Sequence, residues 1–325
     1  MKIKIVQYPT KTYNGIRAYS NNLYNDMIAY EKANNLCDNI NLKNLPKIEL
    51  NFKGKLIGGY ISSDLLSFTV GKGDIIHSTS QSAMTSHTNV VTIHDLIHLL
   101  YSDKFHTPSN IVKRQLKQLE RIKESAKHII VLSPHVEKQV KKYISNIPIS
   151  TIVSKIFVDR PTKNPFPNDG KIHLITIGEI YEGSRKQINE LYLWLRDNSE
   201  IDLYHIGKIA DKAYINYAKN IHALGSVSQQ EKYNYLAYAD KFVFKTFGEG
   251  QGMPTMEAMK LNTQVIINDI EDHRILLGNK PYYYSTKDEF FEAIYKPKKQ
   301  GLVEQISQYD NWIEKYLKVY KQVID

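Results

Sequence analysis

Cysteine is nearly absent from this chain. Cys37 is the single one among 325 residues, so neither an intrachain disulfide nor a multi-cysteine metal site can be built, and a reducing, cytoplasmic compartment fits. Long apolar runs are also lacking, since no window approaches the roughly 18 uninterrupted apolar residues of a spanning helix. The opening MKIKIVQYPT reads as a strand and not as a secretory leader. There is no GxxxxGK[ST] phosphate loop and no GxGxxG dinucleotide fingerprint. No Asp-x-Asp triplet marks a metal-bridged diphosphate. Helix-turn-helix and zinc-finger spacings are missing too, and the basic residues are dispersed, so nucleic acid is not the expected partner.

What is present is ordinary for a globular protein: 42% hydrophobic and 24% charged residues, too apolar for disorder. The length allows two domains with separate cores. The net charge of +9 admits anionic substrates and anionic membrane surfaces. Short apolar runs alternate with amphipathic stretches. Strands are expected at Ile3–Val6, Asp74–Ser78, Val90–Ile93, His128–Leu132, Ile172–Ile177, Asp202–Ile206, Ile221–Leu224, Lys241–Phe244 and Gln264–Ile267. Most are β-branched without clean alternation, as parallel strands buried on both faces are. Helices are expected at Tyr19–Glu31, Asn110–Lys127, Gln187–Asp197, Gln229–Ala239 and Met256–Leu261, with a last one over Leu302–Ile324. Alternating β and α elements give doubly wound α/β layers. Val158–Gly170 carries three prolines and a closing Asp-Gly, so it suits neither a central strand nor a helix interior and reads as a joint. The expected organisation is residues 1–160 as one Rossmann-like domain, 161–301 as a second, and 302–325 as a helix packing back toward the first.

In open α/β sheets ligands bind beyond the carboxyl ends of strands, so the segments that follow strands hold the candidates. The most telling is FGEGQGMPTMEAMKLNTQVIIND, Phe247–Asp269. Gly248, Gly250 and Gly252 let backbone approach a ligand closely, Pro254 opens a helix, and Glu249 and Glu257 stand eight positions apart. Glu257 can accept hydrogen bonds from ribose hydroxyls, as an acid does in nicotinamide enzymes, and Glu249 can contact a transferred group. Taken singly, each also reads as a surface or first-turn acid. In IGEIYEGSRKQ, Arg185 and Lys186 suit a diphosphate, although a solvated pair is the commoner fate of Arg-Lys. In VVTIHDLIHLLY, His94 falls just past a strand and can donate to a sugar hydroxyl; a surface His beside a capping Asp95 is the other reading. Asn14-Gly15 makes a turn before a helix, where amides can cradle an anion, or a plain turn. Ser228 and Glu231 form a capping box. Asn110–Lys127 carries six Lys/Arg against two Glu, and suits peripheral contact with an anionic membrane as well as simple domain packing.

Taken in order, these segments resemble retaining, family-4-type glycosyltransferases of the GT-B fold. GEGQGMPTMEAM is similar to their Glu-x7-Glu signature, EGFGLPxxEAMA. VVTIHDLIHLLY, HIIVLSPHVEKQV, IGEIYEGSRKQ, HALGSVSQQEKYNYLAYADKFVF and YDNWIEKYLKVYKQV resemble further family segments in the same order. The resemblance implies two Rossmann-like domains facing each other across a cleft, and transfer of a sugar from a UDP- or GDP-linked donor to a glycan or lipid-linked hydroxyl without cofactor or metal. It assigns Arg185 and Lys186 to the donor diphosphate, Glu257 to the ribose, Glu249 to the donor sugar and His94 to the reacting sugar. Gly15, Gly250, Gly252 and Met253 would lie along the nucleotide sugar. A place in the cytoplasm, at the inner face of the membrane for a lipid acceptor, follows. The chain departs from the pattern at Asn14, Gln251, Asn262 and Gln264, and Glu179 stands where some members place a phosphate-binding Arg. A non-catalytic nucleotide-sugar or glycan-binding protein of the same fold, and a nucleic-acid-modifying glycosyltransferase, are the alternatives.

Overall fold

A computed structural model describes residues 1–7, 15–34, 39–44, 49–52, 55–58, 70–181, 184–210 and 218–325. The chain divides into two compact units: Met1–Leu100 with Pro108–Ser154 and Asn311–Asp325, and Tyr101–Thr107 with Lys155–Asp310. Cys37 and Asn14 lie outside the described residues.

The first unit is built on β1 (Lys2–Gln7), β2 (Asn39–Asn44), β5 (Ile75–Ser78), β6 (Val90–Ile93), β7 (His128–Val131) and β8 (Ile149–Thr151), with a small antiparallel hairpin of β3 (Glu49–Phe52) and β4 (Lys55–Gly58) beside it in sequence. All six main strands are parallel, in the order β2-β1-β5-β6-β7-β8. The strand order reverses between β1 and β5, which makes their carboxyl ends the switch point where such sheets bind ligands. Apolar β-branched runs that fill both faces explain why β5, β6 and β7 are buried along their whole length. The basic helix Ser109–Ser125 sends Leu119 and Ile122 into the core of this unit and leaves Leu116 exposed.

The second unit holds β9 (Ile172–Ile177), β10 (Ile201–Ile206), β11 (Ile221–Gly225), β12 (Lys241–Phe244), β13 (Gln264–Asn268) and β14 (Tyr282–Tyr284). The order is β11-β10-β9-β12-β13-β14, again all parallel. Counting from β9, this is the 3-2-1-4-5-6 arrangement of dinucleotide-type sheets, with its switch point between β9 and β12. The expected doubly wound fold is therefore present in both units. Among the described residues no helix is long and apolar enough to cross a membrane.

The single last helix expected over Leu302–Ile324 is instead two, Leu302–Ser307 and Trp312–Ile324. The break separates residues of the second unit from residues of the first. Trp312, Tyr316 and Tyr320 recur at helical spacing and are fully buried against the first unit. Buried hydroxyls need partners, and they find them. Trp312 Nε1 donates to Asp26 Oδ2 at 2.9 Å, and the Tyr316 hydroxyl pairs with that of Tyr19. His77 sits between the Tyr320 hydroxyl (2.7 Å) and Thr92 Oγ1 (2.8 Å). Tyr19 also reaches Thr92 Oγ1 at 2.9 Å.

Burial pushes the His77 imidazole from its ordinary 6.5 down to about 3. His94 and His128 shift in the same direction for the same reason. Because the folded-state value lies below the unfolded one, the neutral ring's contribution is complete above pH 6.5 and is lost as pH falls toward 3. Urea unfolding followed from about pH 7.5 to about pH 5.5 should show a falling midpoint, and His77→Gln should make that fall shallower. Equal pH slopes in the two proteins would remove His77 from this role.

Candidate active site

In the second unit the chain leaves β9 at Ile177 and turns at Gly178, where no side chain fits. A Cβ there would collide with Lys186 Cδ and, at 2.8 Å, with Ile188 Cδ1. Gly207, which follows β10 with φ of +149°, comes so close to the Gly178 carbonyl that it too must lack a side chain. His205 stiffens this corner. Its Nε2–H donates to the Gly178 carbonyl at 2.6 Å, and its Nδ1 accepts from the Tyr192 hydroxyl at 2.7 Å. Burial lowers the His205 pKa, which favours the neutral ring that this pattern requires.

The space freed at Gly178 is taken by Lys186. Arg185 and Lys186 precede the helix Ile188–Leu195 and do not lie within it. Lys186 bridges to Thr246, just past β12, which brings it to the β9/β12 switch point. Phe247 N–H donates to the Arg185 carbonyl at 3.0 Å and fixes the same corner. The Lys186 ammonium donates to the Ile177 carbonyl at 3.4 Å and stands 5.3 Å from the centre of the Phe244 ring. Burial lowers its pKa, while Glu249, Glu179 and Glu257 oppose that fall. The arrangement is a half-buried cation at the carboxyl end of a parallel sheet.

The glycine-rich turn after β12 brings up the acids. Thr246 N–H donates to Asn268 Oδ1 at 3.0 Å, and Asn268 Nδ2 donates back to the Thr246 carbonyl at 2.8 Å, so β12 and β13 are pinned where they end. Gly252 takes φ of +70° and caps the helix Met253–Lys260, with Pro254 in its first turn. This helix starts three residues before the expected Met256, so Glu257 lies in its second turn. Gly250 is buried and Met253 half-buried.

Glu249 and Glu257 are both buried, at 7% and 6% exposure, which removes the surface-acid reading of each. Their surroundings differ. Glu249 has its N–H held by Asp272 Oδ2 at 2.9 Å and its Oε2 at 3.5 Å from Arg185 Nη2, while Oε1 is buried without a hydrogen-bond partner. Glu257 is clasped by Lys232, whose ammonium donates to Oε1 at 2.8 Å and to Oε2 at 2.9 Å. Burial raises the Glu257 pKa, and Lys232 and then Lys186 oppose the rise. Beside Glu249, His273 Nδ1–H donates to the Asn268 carbonyl at 3.1 Å, and its buried Nε2 has no hydrogen-bond partner. Glu249 Oε1 and His273 Nε2 are buried polar atoms that a ligand would satisfy.

A cavity of about 600 Å³ opens at Gly207, lined also by Glu179, Ile180, Tyr181, Lys208 and Gly225 among others. It lies at the carboxyl ends of β9, β10 and β11, and its size falls within the range of small-molecule sites.

Arg185, Lys186, Glu249 and Glu257 are therefore brought together within one unit. His94 and Gly15 belong to the other. Gly15 opens the helix Gly15–Asn34 and is exposed. His94 Nε2–H donates to the Thr79 carbonyl at 2.8 Å, and Thr79 N–H in turn donates to Val6, so His94 is tied to the β1/β5 switch point. Burial lowers the His94 pKa. The ring is thus held through Nε2.

Lys232, Asp272 and His273 escaped the sequence reading. Lys232 sits inside the capping-box helix, which reads as structural, and only the fold turns it onto Glu257. Asp272 and His273 follow β13, so the rule of inspecting the residues after each strand does reach them.

Residues 171–296 match the family model for Glycosyl transferases group 1. No curated protein sequence matches the chain. Among solved structures, sucrose-phosphate synthase from Thermosynechococcus elongatus superposes with a TM-score of 0.72 at 15% identity, over 99% of each chain. WaaG, a glycosyltransferase of lipopolysaccharide biosynthesis, gives 0.65 at 13% identity, over 98% of this chain and 99% of its own. HepE from Anabaena, solved with UDP and glucose, gives 0.63 at 11% identity, over 99% and 96%. The resemblance read from the motifs thus holds at the level of fold and of the second unit: the chain has the GT-B glycosyltransferase fold, and its second half carries the group 1 glycosyl transferase match.

Proposed function

We propose that the protein is a retaining glycosyltransferase that moves a sugar from a nucleoside-diphosphate donor to a hydroxyl acceptor. The observation that carries this reading is the convergence of Arg185, Lys186, Glu249 and Glu257 at the carboxyl ends of β9 and β12. In such a reaction the bond between the anomeric carbon and the diphosphate oxygen breaks. Negative charge then grows on the leaving diphosphate. Arg185 and Lys186, fixed before the donor arrives, stabilise that charge without the reorganisation that water would need. With these two side chains as the cationic groups, a metal has no required part in the transfer.

The donor is assigned as follows. The cavity beside Gly207 and Gly225 takes the base, Glu257 the ribose hydroxyls, and Arg185 and Lys186 the phosphates. Glu249 Oε1 and His273 Nε2 take hydroxyls of the transferred sugar. Gly250, Gly252 and Met253 bring helix-terminal backbone toward the donor. None of these carboxylates is assigned as a covalent nucleophile. The acceptor oxygen attacks from the face the diphosphate leaves, and its proton passes to the departing phosphate oxygen, which preserves the anomeric configuration. The first unit, with His94, is assigned to the acceptor, a glycan or lipid-linked hydroxyl. The exposed basic side of Ser109–Ser125 is assigned to peripheral contact with an anionic membrane such as the cytoplasmic face would offer.

Lys186→Ala and Glu257→Ala should each lower turnover about 100-fold or more with the fold intact by far-ultraviolet circular dichroism. Near-normal transfer in both would end the assignment. Thermal-shift screening against UDP, GDP and their sugar conjugates should pick out one base, since a ligand at about 100 times its Kd adds roughly 2.7 kcal/mol.

Lys232→Met tests the hold on Glu257. Without the ammonium, burial is less opposed, the Glu257 pKa rises further, and the carboxylate is lost at a higher pH. The acid limb of the kcat/KM profile should therefore move to higher pH in the variant. An unmoved limb would separate Glu257 ionisation from donor binding.

A further inference from the structure

The amino-terminal edge of the second unit's sheet carries a charged cluster that the site above does not use. β9, β10 and β11 each place a titratable residue at their second position: His173, Asp202 and His222. His173 pairs in register with Asp202, and His222 with Tyr204. Asp202 and Tyr204 are two apart on one strand, so all four side chains share a face. Asp169 arrives from the turn just before β9.

Stacking fixes both imidazoles. His173 lies on Phe166 with ring centres 4.9 Å apart, and His222 on Tyr204 at 4.4 Å. Their ring nitrogens then turn toward the carboxylates. His173 Nε2 is 3.2 Å from Asp169 Oδ1, and His222 Nε2 is 3.2 Å from Asp202 Oδ2. Neither contact has hydrogen-bond alignment, and both Nε2 atoms are buried without a hydrogen-bond partner. His173 is 8% exposed and Asp202 4%. One donor atom each from Asp169, His173 and Asp202 lies within 4.8 Å of the others. Ligands around one tetrahedral ion stand somewhat closer, so a modest inward turn of these side chains would close the set. Bonds of about 2.0–2.2 Å to zinc set neighbouring donor atoms about 3.3–3.6 Å apart, aimed at the ion and not at each other.

A buried carboxylate needs a positive partner. Lys171 supplies one, its ammonium 2.9 Å from Asp202 Oδ1. The Lys171 side chain is 36% exposed, so it can swing into solvent and give up its place at little cost.

We propose that Asp169, His173 and Asp202 form a binding site for a divalent transition metal, and that the Lys171 ammonium holds the cation position when no metal is bound. An imidazole and two carboxylates, with water in the open position, suit zinc better than magnesium or calcium. His173 is five residues along β9 from Gly178, about 16 Å, so the ion is remote from the proposed transfer chemistry. It ties β9, β10 and the proline-rich segment together.

The test is calorimetric titration of the dialysed full-length chain with zinc chloride. One ion per chain is expected. Asp169→Asn and His173→Gln should each weaken binding about tenfold or more, and Lys171→Met should tighten it by removing the competing cation. Asp169 is exposed, so its variant carries the test even where His173→Gln fails to fold. Absence of saturable binding, or an affinity unchanged in Asp169→Asn, would overturn the site. An unchanged or weaker affinity in Lys171→Met would overturn the exchange of cations.

Discussion

A half-buried lysine ammonium at the β9/β12 switch point is the constraint on which the second unit's site depends. Desolvating a cation is costly, and the fold answers with geometry. The residue after β9 is a glycine, and Lys186 and Ile188 occupy the volume a side chain there would need. Gly207 closes on the Gly178 carbonyl from β10, and His205 holds that carbonyl from behind. The bridge from Lys186 to Thr246 then sets the cation between two strands that part. Carboxylates of Glu249, Glu179 and Glu257 oppose the loss of its proton. A phosphate would do the same more strongly.

The two acids of the glycine-rich segment share burial and differ in how they are held. Glu257 has both oxygens engaged by Lys232. Glu249 has one oxygen near Arg185 and one with no hydrogen-bond partner. The first arrangement opposes the rise that burial imposes on the Glu257 pKa; the second leaves one buried oxygen without a hydrogen-bond partner. The same economy shapes the first unit, where neutral His77 and a set of tyrosine hydroxyls fasten the last helix, and where His94 is tied by Nε2–H to the Thr79 carbonyl.

Much of the fold was legible because central parallel strands announce themselves. Val90–Ile93, Ile172–Ile177 and Lys241–Phe244 have the bounds read from their apolar runs. β3 and β4 of the small hairpin were not foreseen, nor were β2, β8 and β14. The last three are the edge strands NINLKN, IST and YYY, short or polar, with little burial to write into their residues. The last helix was read as continuous because its apolar spacing runs on across Ser307–Trp312; the break there follows from two parts of the chain packing on different cores. Within the site, the glycines, the Arg-Lys pair and the two glutamates were visible as residues that follow strands. Lys232 was not, because a lysine on a capped helix carries no local sign of the carboxylate it meets.

The sequence by itself determined the alternation of strands and helices, the parallel class of the sheets and the strand-end segments where chemistry could sit. These follow from hydrophobic period, glycine and proline, which act over a few residues. Only the tertiary structure decided that Lys186 fills the space over Gly178, that Lys232 clasps Glu257, and that His173, Asp202 and His222 share one edge. Such contacts depend on strand order and register, which join residues distant in the chain and leave no local mark on them.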